Sequence, residues 1–308
     1  IITHINIYMT RKINIICTSK PGDGLLMYSY EHQRCLNLLG IATNLVIITH
    51  PNFTQQDYIE SLIQKYHNDI KDYGNVWFDN YIPHSDDISL IMGRSMITLP
   101  YLDKNKYDKE QLLSLFLLFG GKLISVYSEN HPKDYTKALE YFHTKETYDL
   151  CDYDVYPNGV GKQFEKMINF GIYKDVEQKP QFKYLFLGTN KIYYKQAEKT
   201  ILDSKDADYK SSHGILSYRD ESYLNEKLNH VYAPVKNLLG LFETYVYTKT
   251  YFDPAPRLIQ ECKWLGKDII YLRDKSIKDG GPVYMNRPVP TPEMYSDNIN
   301  ILVELIKG

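Results

Sequence analysis

Arg257 and Glu261 stand four residues apart in a stretch that begins with the acid Asp253 and ends at Gly266. On a helix that spacing puts both side chains on one face, with about 5–6 Å between their Cβ atoms. Pro254 and Pro256 donate no backbone hydrogen bond and suit a first helical turn, and Gly266 suits a helix end, so the sequence predicts one short helix between them. A helix start of this kind offers free N–H groups and the positive end of the helix dipole, a setting for phosphate. Arg257 would offer such an anion a fork of donors. The alternative is an ion pair on an ordinary surface helix.

These groups need elements to hold them. An apolar run, 268–272, follows the helix and predicts a strand, and Tyr245–Thr248 predicts the strand before it. Upstream, Phe182–Leu187 reads as a strand, Gly188-Thr189-Asn190 as a turn and Ile192–Leu202 as a helix. Gly214–Tyr218 reads as a strand, Glu221–Leu228 and Val235–Phe242 as helices, and 292–306 as a last helix. The first half shows the same alternation. Strands are expected at Lys12–Cys17, Asn44–Thr49, Asn75–Tyr81, Ile88–Thr98 and Lys122–Tyr127, with helices at Leu25–Gly40, Gln55–Ile70 and Lys109–Leu118. Alternating strands and helices imply parallel sheets covered by helices on both faces. The polar segment before Pro180 places a boundary near 175, giving two Rossmann-like α/β domains, 1–175 and 176–308, that face a cleft.

Composition agrees with a globular chain: 308 residues, 43% hydrophobic and 24% charged. A formal net charge of -2 and a pI near 6.5 argue against an overall nucleic-acid-binding surface. Cys17, Cys35, Cys151 and Cys262 are scattered without a C-x-x-C pair, as expected of reduced thiols in a cytoplasmic protein. No run approaches the roughly 18 apolar residues of a membrane span. Met9 reads as a natural start, with residues 1–8 as an upstream extension. The abundance of Tyr, at 29, with many Ile, Asn and Lys, points to an AT-rich coding sequence of a virus or low-GC microbe.

Four short segments occur in an order that gives them joint meaning. Tyr156–Val160 reads Tyr-Pro-Asn-Gly-Val, Phe186–Lys191 reads Phe-Leu-Gly-Thr-Asn-Lys, Val231–Val235 reads Val-Tyr-Ala-Pro-Val, and Asp253 precedes Glu261 by eight. In this order they resemble the crossover segment and donor domain of GT-B glycosyltransferases, with a distant similarity to phage DNA glucosyltransferases and glycogen-synthase-type transferases. The resemblance implies transfer of a sugar from a nucleotide-diphosphate sugar, a UDP-sugar above all, to a hydroxyl acceptor without a metal or other cofactor. It implies that Gly188, Thr189, Asn190 and Lys191 meet the diphosphate and that Tyr232 and Ala233 lie by the nucleobase. Asp253, Arg257 and Glu261 would hold the sugar, phosphate and ribose. Pro254 and Pro256 replace the usual family glycines, and Asp253 stands where retaining members mostly have Glu, so the stereochemical course stays open. A nucleotide-sugar epimerase of the same architecture and a non-catalytic nucleotide- or sugar-binding protein are the competing readings.

On the acceptor side, the strand ending before Glu129 resembles the corresponding phage strand, whose terminal acid is the base. Glu129 is therefore the expected general base, with His131 as the second candidate. His50 and His84, each beside a proline turn, are further candidates. Gly22 and Gly24 form a loop after the first strand that would approach the acceptor or a phosphate, although the pattern is not G-x-G-x-x-G. Asp152 and Asp154 imitate a metal-binding Asp-x-Asp but read as a surface turn. Acceptors from glycan, lipid and protein to a DNA base all remain open.

Overall fold

In the computed structural model, the residues described are 12–50, 52–66, 74–77, 80–82, 84, 86–92, 122–127, 146–151, 162–163, 168, 170, 176–189, 191–217, 224–232, 235–248, 257–272 and 288–308. They form two compact units, one of Ile1–Ile63, Asn68–Met167 and Glu293–Gly308, the other principally of Ile168–Pro292. Each unit is built on its own parallel sheet.

The first unit opens with β1 (Ile13–Ser19), where residues of both faces are buried, as a central strand covered on both sides requires. Then follow α1 (Gly24–Leu38), β2 (Thr43–Thr49), α2 (Gln55–Tyr66), β3 (Asn75–Trp77), β4 (Ile88–Met92), β5 (Lys122–Tyr127), β6 (Glu146–Cys151) and β7 (Lys162–Gln163). The sheet order is β3-β2-β1-β4-β5-β6-β7. β1 pairs in parallel with β2 from Ile13↔Thr43 to Ser19↔Thr49, and with β4 on its other side. The strands thus fan outward in opposite directions from the β1/β4 junction, the doubly wound plan expected from the sequence.

The second unit repeats the plan with β8 (Phe182–Leu187), α3 (Lys191–Asp203), α4 (Ala207–Ser211), β9 (His213–Leu216), β10 (His230–Val231), α5 (Val235–Leu238), β11 (Phe242–Tyr247), α6 (Arg257–Trp264) and β12 (Asp268–Tyr271). Its order is β10-β9-β8-β11-β12, all parallel. Between the sheet and α3 lies a core containing Phe186, Tyr194, Ala197, Ile201, Ile215 and Val246. Both sheets are therefore Rossmann-like.

Four details depart from the sequence reading. The last helix, α7 (Pro292–Lys307), belongs to the first unit rather than to the second half. It is held there by Lys122 Nζ donating to Leu305 O at 2.7 Å, and by Tyr295 meeting Arg34, Cys35 and the buried Glu31 of α1. The described part of the expected helix 221–228 is a turn, because the Asn225 side chain accepts from Lys227 N and closes the backbone locally. The expected helix 235–242 ends at Leu238, since Gly240 and Leu241 close a turn onto Asn237 and Leu238 and Phe242 already enters β11. Finally, α4 was not foreseen. The expected helix 109–118 lies outside the described residues.

Candidate functional site

In a doubly wound sheet, ligands meet the carboxyl ends of the strands where the order reverses. In the second unit that point falls between β8 and β11: β8 leads through α3 to β9 on one side, and β11 leads through α6 to β12 on the other. Strand register carries the sheet one step past its ends. Leu187 pairs with Leu216, Leu216 with Val231 and Tyr247 with Tyr271. The ladder continues as Gly188 N donates to Leu216 O at 2.8 Å, Ser217 N to Val231 O at 3.1 Å and Leu272 N to Tyr247 O at 3.0 Å. The next residues, Gly188, Ser217, Tyr232 and Thr248, therefore line up along this edge.

Gly188 is a glycine for a packing reason. A Cβ there would lie 2.5 Å from Ile215 Cγ2 and 3.3 Å from Tyr194 Cδ2, so only a bare backbone fits between β9 and α3. Thr189 follows half-buried, and Lys191 opens α3 exposed. Lys191 is thus a cation at a helix start, with no acid in that first turn.

At the other side of the junction, α6 begins with Arg257. Arg257 Nε donates to Glu261 Oε1 at 2.9 Å, and the two side chains are only 7% and 2% exposed. The surface ion pair entertained from the sequence is therefore replaced by a buried one. Both Nη atoms of Arg257 are buried as well. Burying two charges is costly, and their mutual bond offsets that cost only while both are present. Gly266, at φ 67°, ends the helix by letting Lys267 N reach back to Cys262 O at 2.9 Å.

Tyr232 follows β10 and is 53% exposed. Its ring stacks on His230 with centroids 6.2 Å apart and 29° between planes, and His230 stacks in turn on Tyr194 at 5.7 Å and 22°. The sequence reading found Tyr232 and missed its two supporting rings. Only the i, i+2 spacing of His230 and Tyr232 along a strand signals that they share a face; the third ring, from α3, has no local signal.

The first unit's edge is different in kind. Gly22 adopts φ 74° and Gly24 opens α1, but Asp23 between them caps the helix and accepts from Leu25 N at 3.3 Å. One N–H of the first turn is thus already taken by a carboxylate. His50 follows β2; its N–H donates to Tyr58 Oη at 2.7 Å, and its Nδ1 accepts from Asn52 N at 3.3 Å. Burial, aided by Lys20, holds its pKa below the ordinary value, which favours neutral imidazole with the proton on Nε2. His84 precedes β4, at the opposite edge from the strand carboxyl ends, and its Nδ1 lies 3.9 Å from Asp86 with both side chains exposed. That placement removes it from the strand-end candidates.

Glu129, His131, Asn190, Ala233, Asp253, Asp152, Asp154 and the 156–160 segment lie outside the described residues. Among the described residues no group of three His, Cys, Asp or Glu could hold a metal ion. Among them, too, no helix is long and apolar enough to cross a membrane.

No protein-family model matches the sequence, and no curated protein matches it. Two solved structures are similar in fold. One, from Listeria monocytogenes, is described as a UDP-N-acetylglucosamine 2-epimerase; it is 9% identical, with a TM-score of 0.42 over 96% of this chain and 88% of that one. The other is Arabidopsis thaliana UGT89C1 complexed with UDP-L-rhamnose, 11% identical, with a TM-score of 0.38 over 96% of this chain and 94% of that one. At such identities a likeness bears on fold alone, and the chain is placed as a pair of Rossmann-like α/β units by its own strand order and register.

Proposed function

We propose that the chain is a glycosyltransferase that takes a sugar from a nucleotide-diphosphate sugar, UDP-linked in the first instance, and that the second unit holds this donor. The observation that carries the reading is the charge at the two helix starts leaving the β8/β11 junction. α3 and α6 have no acid in their first turns and open with Lys191 and Arg257. Developing negative charge on a departing diphosphate needs oriented cations and N–H groups at such a place. Gly188 keeps the β8 turn tight against β9 and α3 there, and Tyr232 offers an exposed ring for a base. Glu261, whose Oε1 is engaged by Arg257, is the residue this reading assigns to the ribose hydroxyls.

The acceptor-side base in this proposal is Glu129, with His131 second, and the protein works in the cytoplasm without a metal cofactor. The resemblance of the Tyr156–Val160 and Val231–Val235 segments to GT-B transferases supports the same assignment. The test is a thermal-shift screen of nucleotide sugars followed by product analysis. A donor present at 100 times its Kd raises stability by about 2.7 kcal/mol. Sugar moved to an acceptor supports transfer; interconversion of the donor alone makes the protein an epimerase, and binding without turnover makes it a binding protein. Glu129→Gln is expected to keep donor affinity and lose transfer, and normal turnover in that variant places the base elsewhere.

A further inference from the structure

We infer that Asn225 is a positioning residue that fixes the outermost ring of the Tyr194–His230–Tyr232 stack and so sets the affinity for the planar base of a nucleotide. The inference rests on the donor-site reading above. It starts from a contrast within the stack. Tyr194 is fully buried in the core under α3, whereas Tyr232 at the far end is 53% exposed. A tyrosine at a strand end would ordinarily sample several rotamers, but this ring is backed by His230, which is backed by Tyr194.

Asn225 holds that arrangement with every polar group it has. Its N–H donates to Tyr194 Oη at 2.6 Å. Its main-chain carbonyl accepts from His230 Nε2 at 3.0 Å, which orients the imidazole plane. Its Nδ2 donates to Glu198 Oε1 at 3.1 Å, and its Oδ1 accepts from Lys227 N at 3.1 Å. Glu198 is in turn held as a carboxylate by Lys195, whose Nζ lies 2.6 Å away and lowers the Glu198 pKa. The side chain thus closes the turn onto Lys227 N and ties it to Glu198 of α3, and the main chain so held meets Tyr194 of α3 and the ring of His230. Removal of the Asn225 side chain opens the turn that holds its main-chain carbonyl against His230, and so loosens the plane that backs Tyr232.

What such a fixed ring recognises is a flat π-system. Aromatic pairs prefer the offset stacking already present inside the ladder, and any nucleobase has a face to offer. The stack supplies affinity for the base and is tolerant of which base it is. Ser217 lies in the neighbouring strand register, 2% exposed, and its Oγ has no hydrogen-bond partner among the described residues.

The test is calorimetric titration of the full chain with ADP, CDP, GDP, UDP and inorganic pyrophosphate. Wild type is compared with Asn225→Ala, Tyr194→Phe and Tyr232→Ala, with Lys183→Ala at the opposite sheet edge as control. Nucleoside diphosphate affinity is expected to fall about tenfold in Asn225→Ala and Tyr232→Ala, and less in Tyr194→Phe, which loses one hydroxyl. Pyrophosphate affinity should not change, because pyrophosphate has no base. In parallel, the ring-current shifts of the His230 ring protons should diminish in Asn225→Ala without any ligand, as the turn that carries its main-chain partner loosens. Wild-type nucleotide affinity in Asn225→Ala alongside a loss in Tyr232→Ala overturns the positioning role and leaves the donor site intact. Equal loss of nucleotide and pyrophosphate in Asn225→Ala marks a general defect and also overturns it. A wild-type protein that binds neither nucleotide nor pyrophosphate overturns the donor reading and this inference with it.

Discussion

The two sheets share a plan and differ at the edge where Rossmann-like units bind ligands. In the first unit the helix starts are closed by their own acids: Asp23 caps α1, and Asp57 and Thr54 cap α2 reciprocally, with Thr54 N donating to Asp57 Oδ2 at 2.7 Å and Asp57 N to Thr54 Oγ1 at 3.3 Å. In the second unit α3 and α6 open on Lys191 and Arg257 with no acid in the first turn. A carboxylate at a helix start satisfies the dipole internally, whereas a cation there adds to its positive end. Under the proposed function, the second of these edges is the one that meets the diphosphate.

The sharpest way to break this contrast is to remove one member of the buried pair. Arg257→Ala or Glu261→Ala strands a buried charge and is expected to destabilise the second unit by about 3–5 kcal/mol and to weaken nucleoside diphosphate binding tenfold or more. Urea unfolding and calorimetry read the two effects. Replacing both residues with apolar ones of similar size should recover the stability and leave binding lost. Recovery of binding as well would show that the pair is structural only.

Gly188→Ala forces a methyl against Ile215 and Tyr194 and should cost about 1–3 kcal/mol. A thermal midpoint equal to wild type would refute the tight packing of that turn. Lys191→Ala removes an exposed cation and should leave stability within about 0.5 kcal/mol while lowering diphosphate affinity. An unchanged titration removes Lys191 from the site. In the first unit, Asp23→Ala should cost about 1 kcal/mol through loss of the cap and leave nucleotide affinity untouched. If instead nucleotide binding responds to Asp23, the first edge participates after all.

The smallest effect expected is on pH dependence. Burial holds both His50 and His213 below their ordinary 6.5. Between the lowered native pKa and 6.5 the unfolded chain binds more protons, so stability rises with pH through that window and declines as pH falls through it. His213 is 2% exposed and accepts from Asn229 N through Nε2, so protonation breaks a bond as well. His213→Gln should flatten the acid limb more than His50→Gln does, as measured by denaturation at a series of pH values. Equal slopes in wild type and both variants would sink this assignment.

Much of the scaffold was legible in the chain. The strands expected at Lys12–Cys17 and Phe182–Leu187 could be read because a buried parallel strand is a short run of apolar residues, and α1, α3 and α6 because glycines or prolines mark their ends. The 224–228 turn was misread as helix because its composition suits either, and one Asn side chain decided between them. Of the site, Gly188, Lys191, Tyr232, Arg257 and Glu261 were visible as residue types in a suggestive order. His230, Tyr194, Asn225 and Ser217 were not, since each acquires meaning only from a neighbour on another element.

By itself, then, the sequence determined that α6 would place an arginine and a glutamate on one face, because helical periodicity is a local property. It could not determine whether that pair lay in water or out of it. Tertiary packing decided this by burying both side chains to within a few per cent. It likewise returned α7 to the first unit and built a ring stack from α3 and β10. Burial and ring stacking depend on which elements meet, and residues distant in the chain become neighbours only once the sheet has set the order of its strands.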